Sequence, residues 1–122
     1  MSGRLVWPGK TNPVTKVRFS LMTGFDSRGQ PMYASGTVES AEERELLQSI
    51  LEPLRSVSHS ITSVVMGEVI IELEDKREIT LCPVFRPSLD AYRDLFFVGE
   101  YQYPMPAKLA DLLEQWRKET PR

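Results

Sequence analysis

Residues 64–84 read VVMGEVIIELEDKREITLCPV, and the alternation within them decides the fold. Val69, Ile71 and Leu73 fall on one side of a strand running from Val64 to Leu73, while Glu68 and Glu72 fall on the other. Ile79, Leu81 and Pro83 repeat the pattern over Glu78 to Val84, with Glu78 and Thr80 opposite. Two such runs around a short charged link read as an antiparallel hairpin. Directly opposed residues share a face, so Leu73 must oppose an odd-numbered position. The loop therefore has an odd number of residues, such as Asp75-Lys76-Arg77, which asks Arg77 to take a left-handed conformation.

On the C-terminal side, residues 95–116 read LFFVGEYQYPMPAKLADLLEQW. Leu95 to Val98 is a third strand, and Gly99-Glu100 turns the chain so that Tyr101-Gln102-Tyr103 doubles back briefly. Pro106 stands at the first position of a helix, where its missing N–H costs nothing. Leu109, Leu112, Leu113 and Trp116 recur at helical spacing, and Arg117 and Lys118 sit at the negative end of its dipole. Phe85 to Asp94 reads as a loop, with one helical turn over Ser88 to Tyr92 capped by Ser88.

On the N-terminal side, Val17, Phe19 and Leu21 alternate with Lys16, Arg18 and Ser20, predicting a strand from Val14 to Met22. Asp26 and Gly29 supply a turn into a second strand, Met32 to Val38. Ser40 and Glu43 have the spacing of a capping box, in which each side chain bonds the other's amide. The helix they open carries Leu46, Leu47, Ile50, Leu51 and Leu54 on one stripe and ends near Pro53. The order is β-β-α-β-β-β-α. Hairpins dominate it, so the expectation is an α+β fold: a largely antiparallel sheet of about five strands with two helices packed on one face. Residues 1–13 hold Gly3, Pro8, Gly9, Asn12 and Pro13 without periodicity and read as a flexible N-terminal arm, leaving 14–122 as a single domain.

With 122 residues, 41% of them hydrophobic, the chain has the material of one core. The 15 basic and 17 acidic side chains leave a formal net charge of −2. Residues 1–39 hold five basic and two acidic side chains and the remainder ten and fifteen, an asymmetry able to orient a docking partner. The α-β-β-β-α order of Ser40 to Lys118 also occurs in double-stranded-RNA-binding domains, which place cations at the start of the last helix. Here that helix opens with Lys108 alone, followed by Asp111, so nucleic acid is not an expected partner. No apolar run approaches a membrane span or a secretory signal, and the single cysteine, Cys82, excludes an internal disulfide, so a cytoplasmic location is expected.

Reaction chemistry is sparse. Cys82 and the lone His59 could pair as nucleophile and base only if the fold joins them, and no oxyanion loop flanks either. No metal-ligand spacing, phosphate loop or nucleophile elbow is present, so neither a catalytic residue nor a cofactor is assigned. Asp90, Asp94 and Glu100 surround the third strand of the meander and read as solvated or capping carboxylates.

The dense aromatic set is the remaining lead. Adjacent Phe96 and Phe97 point to opposite faces of a strand, and Ile70 faces away from Val69 and Ile71, so apolar groups occupy a second sheet face. Ile70, Phe97, Tyr101 and Tyr103 are therefore the expected surface for a protein partner or a homodimer contact. A pocket between the sheet and the arm, lined by Trp7, Tyr92 and Arg93, is the alternative and would hold a small molecule or support an unusual enzyme.

Overall fold

In the computed structural model, residues 7–56, 58–59, 67–86, 89 and 91–119 are described. The elements are β1 (Val14–Phe25), β2 (Pro31–Thr37), α1 (Ala41–Leu51), β3 (Ser58–His59), β4 (Gly67–Leu73), β5 (Glu78–Arg86), β6 (Ala91–Val98), β7 (Tyr101–Pro104) and α2 (Ala107–Glu119). The strands form one seven-stranded sheet in the order β2-β1-β4-β5-β6-β7-β3. Every pairing in it is antiparallel. The expected α+β architecture is thus present. The strand count exceeds five because the segment after Gly99 is a full partner of β6 and a two-residue strand, β3, closes that edge.

Alternation builds the core. Val17, Phe19 and Leu21 of β1, Val69, Ile71 and Leu73 of β4, and Ile79 and Leu81 of β5 join one buried cluster with Leu47, Ile50 and Leu51 of α1 and Leu109, Leu112, Leu113 and Trp116 of α2. Both helices therefore lie on one face of the sheet. Each fully buried Leu or Ile side chain contributes roughly 1.5–3 kcal/mol by leaving water. Ser40 caps α1, its Oγ accepting the Glu43 amide at 3.2 Å. The Glu43 carboxylate does not return to Ser40 as a capping box requires. It instead accepts from Trp116 Nε1 and Gln115 Nε2, both at 2.9 Å, and so ties α1 to α2.

The β4–β5 hairpin has the expected parity, displaced by one residue. The Leu73 amide donates to the Arg77 carbonyl, making these the closing pair around Glu74-Asp75-Lys76. Lys76, not Arg77, takes the left-handed conformation, with φ 75°. Asp75 braces the turn: its carboxylate accepts the Arg77 amide and Nε and the Asn12 side-chain amide. These bonds, led by the Arg77 amide, hold its pKa below the ordinary carboxylate value. In the β1–β2 turn the expectation holds, since Asp26 accepts the Arg28 and Gln30 amides and Gly29 has φ 79°.

The loop expected over Phe85 to Asp94 is instead mostly strand. Pro83 opposes Phe96 while Phe85 opposes Tyr92, so Val84 faces the three residues Arg93 to Leu95 across a bulge. Asp94 sits at φ 80° in that bulge, held by Arg86 Nε at 2.9 Å and by the Met105 amide. Tyr92 belongs to β6, so it is not in a helical turn; Ser88, Asp90 and Val64 to Met66 lie outside the described residues.

Candidate functional site

Register sorts the side chains of the uncovered face. Arg18 opposes Ile70, which opposes Thr80, and Cys82 opposes Phe97, which opposes Gln102. All of these share the face away from the helices. Arg18, Ser20, Ser35, Thr37, Glu68 and Ile70 line a shallow groove there of about 390 Å³. Its polar groups largely serve one another or solvent: Ser35 Oγ donates to Ser20 Oγ at 3.2 Å, and Arg18 pairs with Glu78 at 3.1 Å with both side chains near half exposed. Such an exposed pair contributes little stability.

The expected partner-binding set divides between the faces. Ile70 is half-buried in the groove, as the alternation requires. Phe97 lies on the same face but is only 7% exposed, so the chain itself already covers it. Tyr101 opposes Val98 and Tyr103 opposes Phe96, which puts both tyrosines on the core face. Tyr103 is buried between Trp7, stacked at 4.7 Å, and Phe96, stacked at 5.2 Å. That sandwich raises its phenol pKa by desolvation.

The alternative pocket is not assembled either. Trp7 is held at the end of α1, its Nε1 donating to the Leu51 carbonyl at 2.7 Å. Tyr92 has no exposed surface and packs edge-on against Phe85, whereas Arg93 points into solvent. The part of the arm from Trp7 onward is pinned to the domain by the tryptophan, by Asn12 on Asp75 and by the Glu74 amide donating to the Pro13 carbonyl.

The paired Cys82 and His59 are also separated. Ser58 opposes Gln102, Gln102 opposes Phe97 and Phe97 opposes Cys82, so β3 lies three strand spacings from Cys82, about 14 Å. Desolvation, followed by the Glu68 charge, pushes the Cys82 thiol pKa up, keeping it protonated at neutral pH. Asp94 is committed to Arg86.

One exposed region has no counterpart in the sequence reading. Phe25, Met32 and Tyr33 are 47%, 43% and 49% exposed, and all three lie on the β1–β2 hairpin. The last β1–β4 pair among the described residues is Leu21 with Gly67, and from Met22 onward the described strand partner of β1 is β2. Met22 is satisfied by side chains instead: its amide donates to Tyr92 Oη at 2.6 Å, and its carbonyl accepts from buried Arg117 at 3.3 Å.

Among the described residues, β2 is the end strand of the sheet, with no strand on its outer side. The Val38 amide donates to Val17, which fixes the phase: Val38, Gly36 and Ala34 direct their backbone groups at β1, and Thr37, Ser35 and Tyr33 direct theirs outward. From Pro31 to Val38 that side carries no charge. The signal in the sequence was weak, because Ala34-Ser35-Gly36 has low strand propensity and no apolar alternation.

Among the described residues no cluster of His, Cys, Asp or Glu could hold a metal ion, and no helix is long and apolar enough to cross a membrane. No protein-family model matches the chain, and neither a curated protein nor a solved structure does.

Proposed function

We propose that this chain is a non-enzymatic protein-interaction domain that accepts an added strand on the outer edge of β2. The observation that carries the reading is the uncharged outer edge, Tyr33 to Thr37, beside the exposed Phe25, Met32 and Tyr33. Sheets ordinarily blunt such an edge with lysine, inward charge or a cover, because its unpaired N–H and C=O groups template pairing. Here the edge supplies main-chain hydrogen bonds, and the adjacent apolar side chains supply contact area for an extended segment. A cytoplasmic setting belongs to the same reading and is supported by the lone, half-buried Cys82.

Selection of extended peptides from a displayed random library tests it. Peptides that bind the wild-type chain should fail on Ser35→Pro, which removes an outward N–H and projects a ring from the edge while leaving the β1 ladder intact. Equal binding to both proteins, with the variant's melting curve unchanged, would place recognition elsewhere and refute the reading.

A further inference from the structure

We infer that the strand added to β2 comes from a second copy of this chain, paired antiparallel about a two-fold axis through Ser35. The inference rests on the reading that β2 is the docking edge. Outward-directed residues must pair with outward-directed residues, so only a few two-fold registers are open. Centring on Ser35 places Ser35 opposite its own copy and Tyr33 opposite Thr37, and every outward residue from Tyr33 to Thr37 then exchanges both backbone hydrogen bonds. Centring on Ala34 brings Pro31, which has no N–H, into the ladder. Centring on Gly36 brings in Glu39, beyond the strand's end.

Side chains favour the Ser35 register too. Tyr33 against Thr37 is an aromatic and β-branched pair, Ala34 meets Gly36 without crowding, and no like charges oppose one another. Charge complementarity selects a second copy over an arbitrary peptide. Because the strands run antiparallel, the turn before β2 arrives beside the partner's path out of β2 into α1; the Asp26 carboxylate of that turn is engaged by the Arg28 and Gln30 amides, which leaves the exposed Arg28 side chain to meet the exposed Glu39 and Glu42. The two-fold axis makes that contact twice. Phe25 and Met32 travel with the same turn and lose water in the same contact.

Sedimentation equilibrium of the full chain over a range of concentrations is the test, with Ser35→Lys and Ser35→Glu, each checked for an unchanged melting temperature. The wild type should form a dimer. Each variant alone opposes like charges across the axis and should dimerise at least about tenfold more weakly, while an equimolar mixture opposes Lys to Glu and should recover the dimer. A dimer insensitive to both substitutions, or a mixture that stays monomeric, would overturn the Ser35 axis. A strictly monomeric wild type would overturn the second copy; if displayed peptides still bind the β2 edge, the interaction-domain reading survives that result, and if they do not, both fall.

Discussion

Tyr92 reaches from β6 across the end of β4 to accept the Met22 amide, and glycine at position 67 makes the approach possible. A Cβ at Gly67 would collide with the phenolic oxygen and crowd the Ser20 carbonyl. Gly67→Ala should therefore cost about 1–3 kcal/mol of stability in urea denaturation. Tyr92→Phe, which leaves the buried Met22 N–H unsatisfied, should cost about 1–3 kcal/mol as well. The double variant should lose less than the two singles together, because both act on one contact. Burial pushes the Tyr92 phenol up to about 12 from an ordinary value of 10.0. The unfolded chain releases that proton first, so its contribution is intact below pH 10 and is lost as pH rises toward 12. Denaturation midpoints followed across that window should fall more steeply for the wild type than for Tyr92→Phe.

At the scale of elements, what was legible depended on how much a segment's own periodicity decides. The stripe of α2 and the parity of the β4–β5 hairpin follow from spacing alone and are present; of the α1 stripe, Leu47, Ile50 and Leu51 are buried, whereas Leu46 is 41% exposed and Leu54 lies past the end of the helix. The residues from Phe85 to Asp94 misled because the two ends of the segment pair with each other: Phe85 opposes Tyr92 and Arg86 holds the Asp94 bulge, neither visible in local propensity. Glu43 carried a correct cap position but an unforeseen bond, since Trp116 lies 73 residues away. In the hairpin loop the left-handed strain falls on Lys76. Lys76→Gly should raise stability by about 0.5–1 kcal/mol, a gain readable as a higher denaturation midpoint with an unchanged slope.

Across the whole molecule, the sheet has one face under two helices and another that is largely polar, and this asymmetry is what the sequence reading half captured. It placed apolar groups on the second face through Ile70 and Phe97, but assigned Tyr101 and Tyr103 there because β7 had no predicted register. The pairing of Tyr103 with Phe96 settles their side. The candidate edge was not legible at all, since which strand ends a sheet depends on the order β2-β1-β4, and that order is fixed by long-range pairing. The stacked Trp7 joins the chain's start to β7 and α1 together. Trp7→Ala should cost about 2 kcal/mol, from the lost ring stack and the lost bond to Leu51, and a thermal melt should show it.

The bond from Arg117 to Met22 spans 95 residues of chain and bears on how the protein is made. A ribosome releases the β1–β2 hairpin early, when neither β4 nor α2 yet exists, and an isolated hairpin is marginal in water. The Met22 carbonyl must stay hydrated until the last helix emerges, and the Phe85 ring waits for the guanidinium that covers it. Nascent chains stalled before Trp116 should consequently remain protease-sensitive throughout, and the domain should close in a single late step rather than strand by strand during translation.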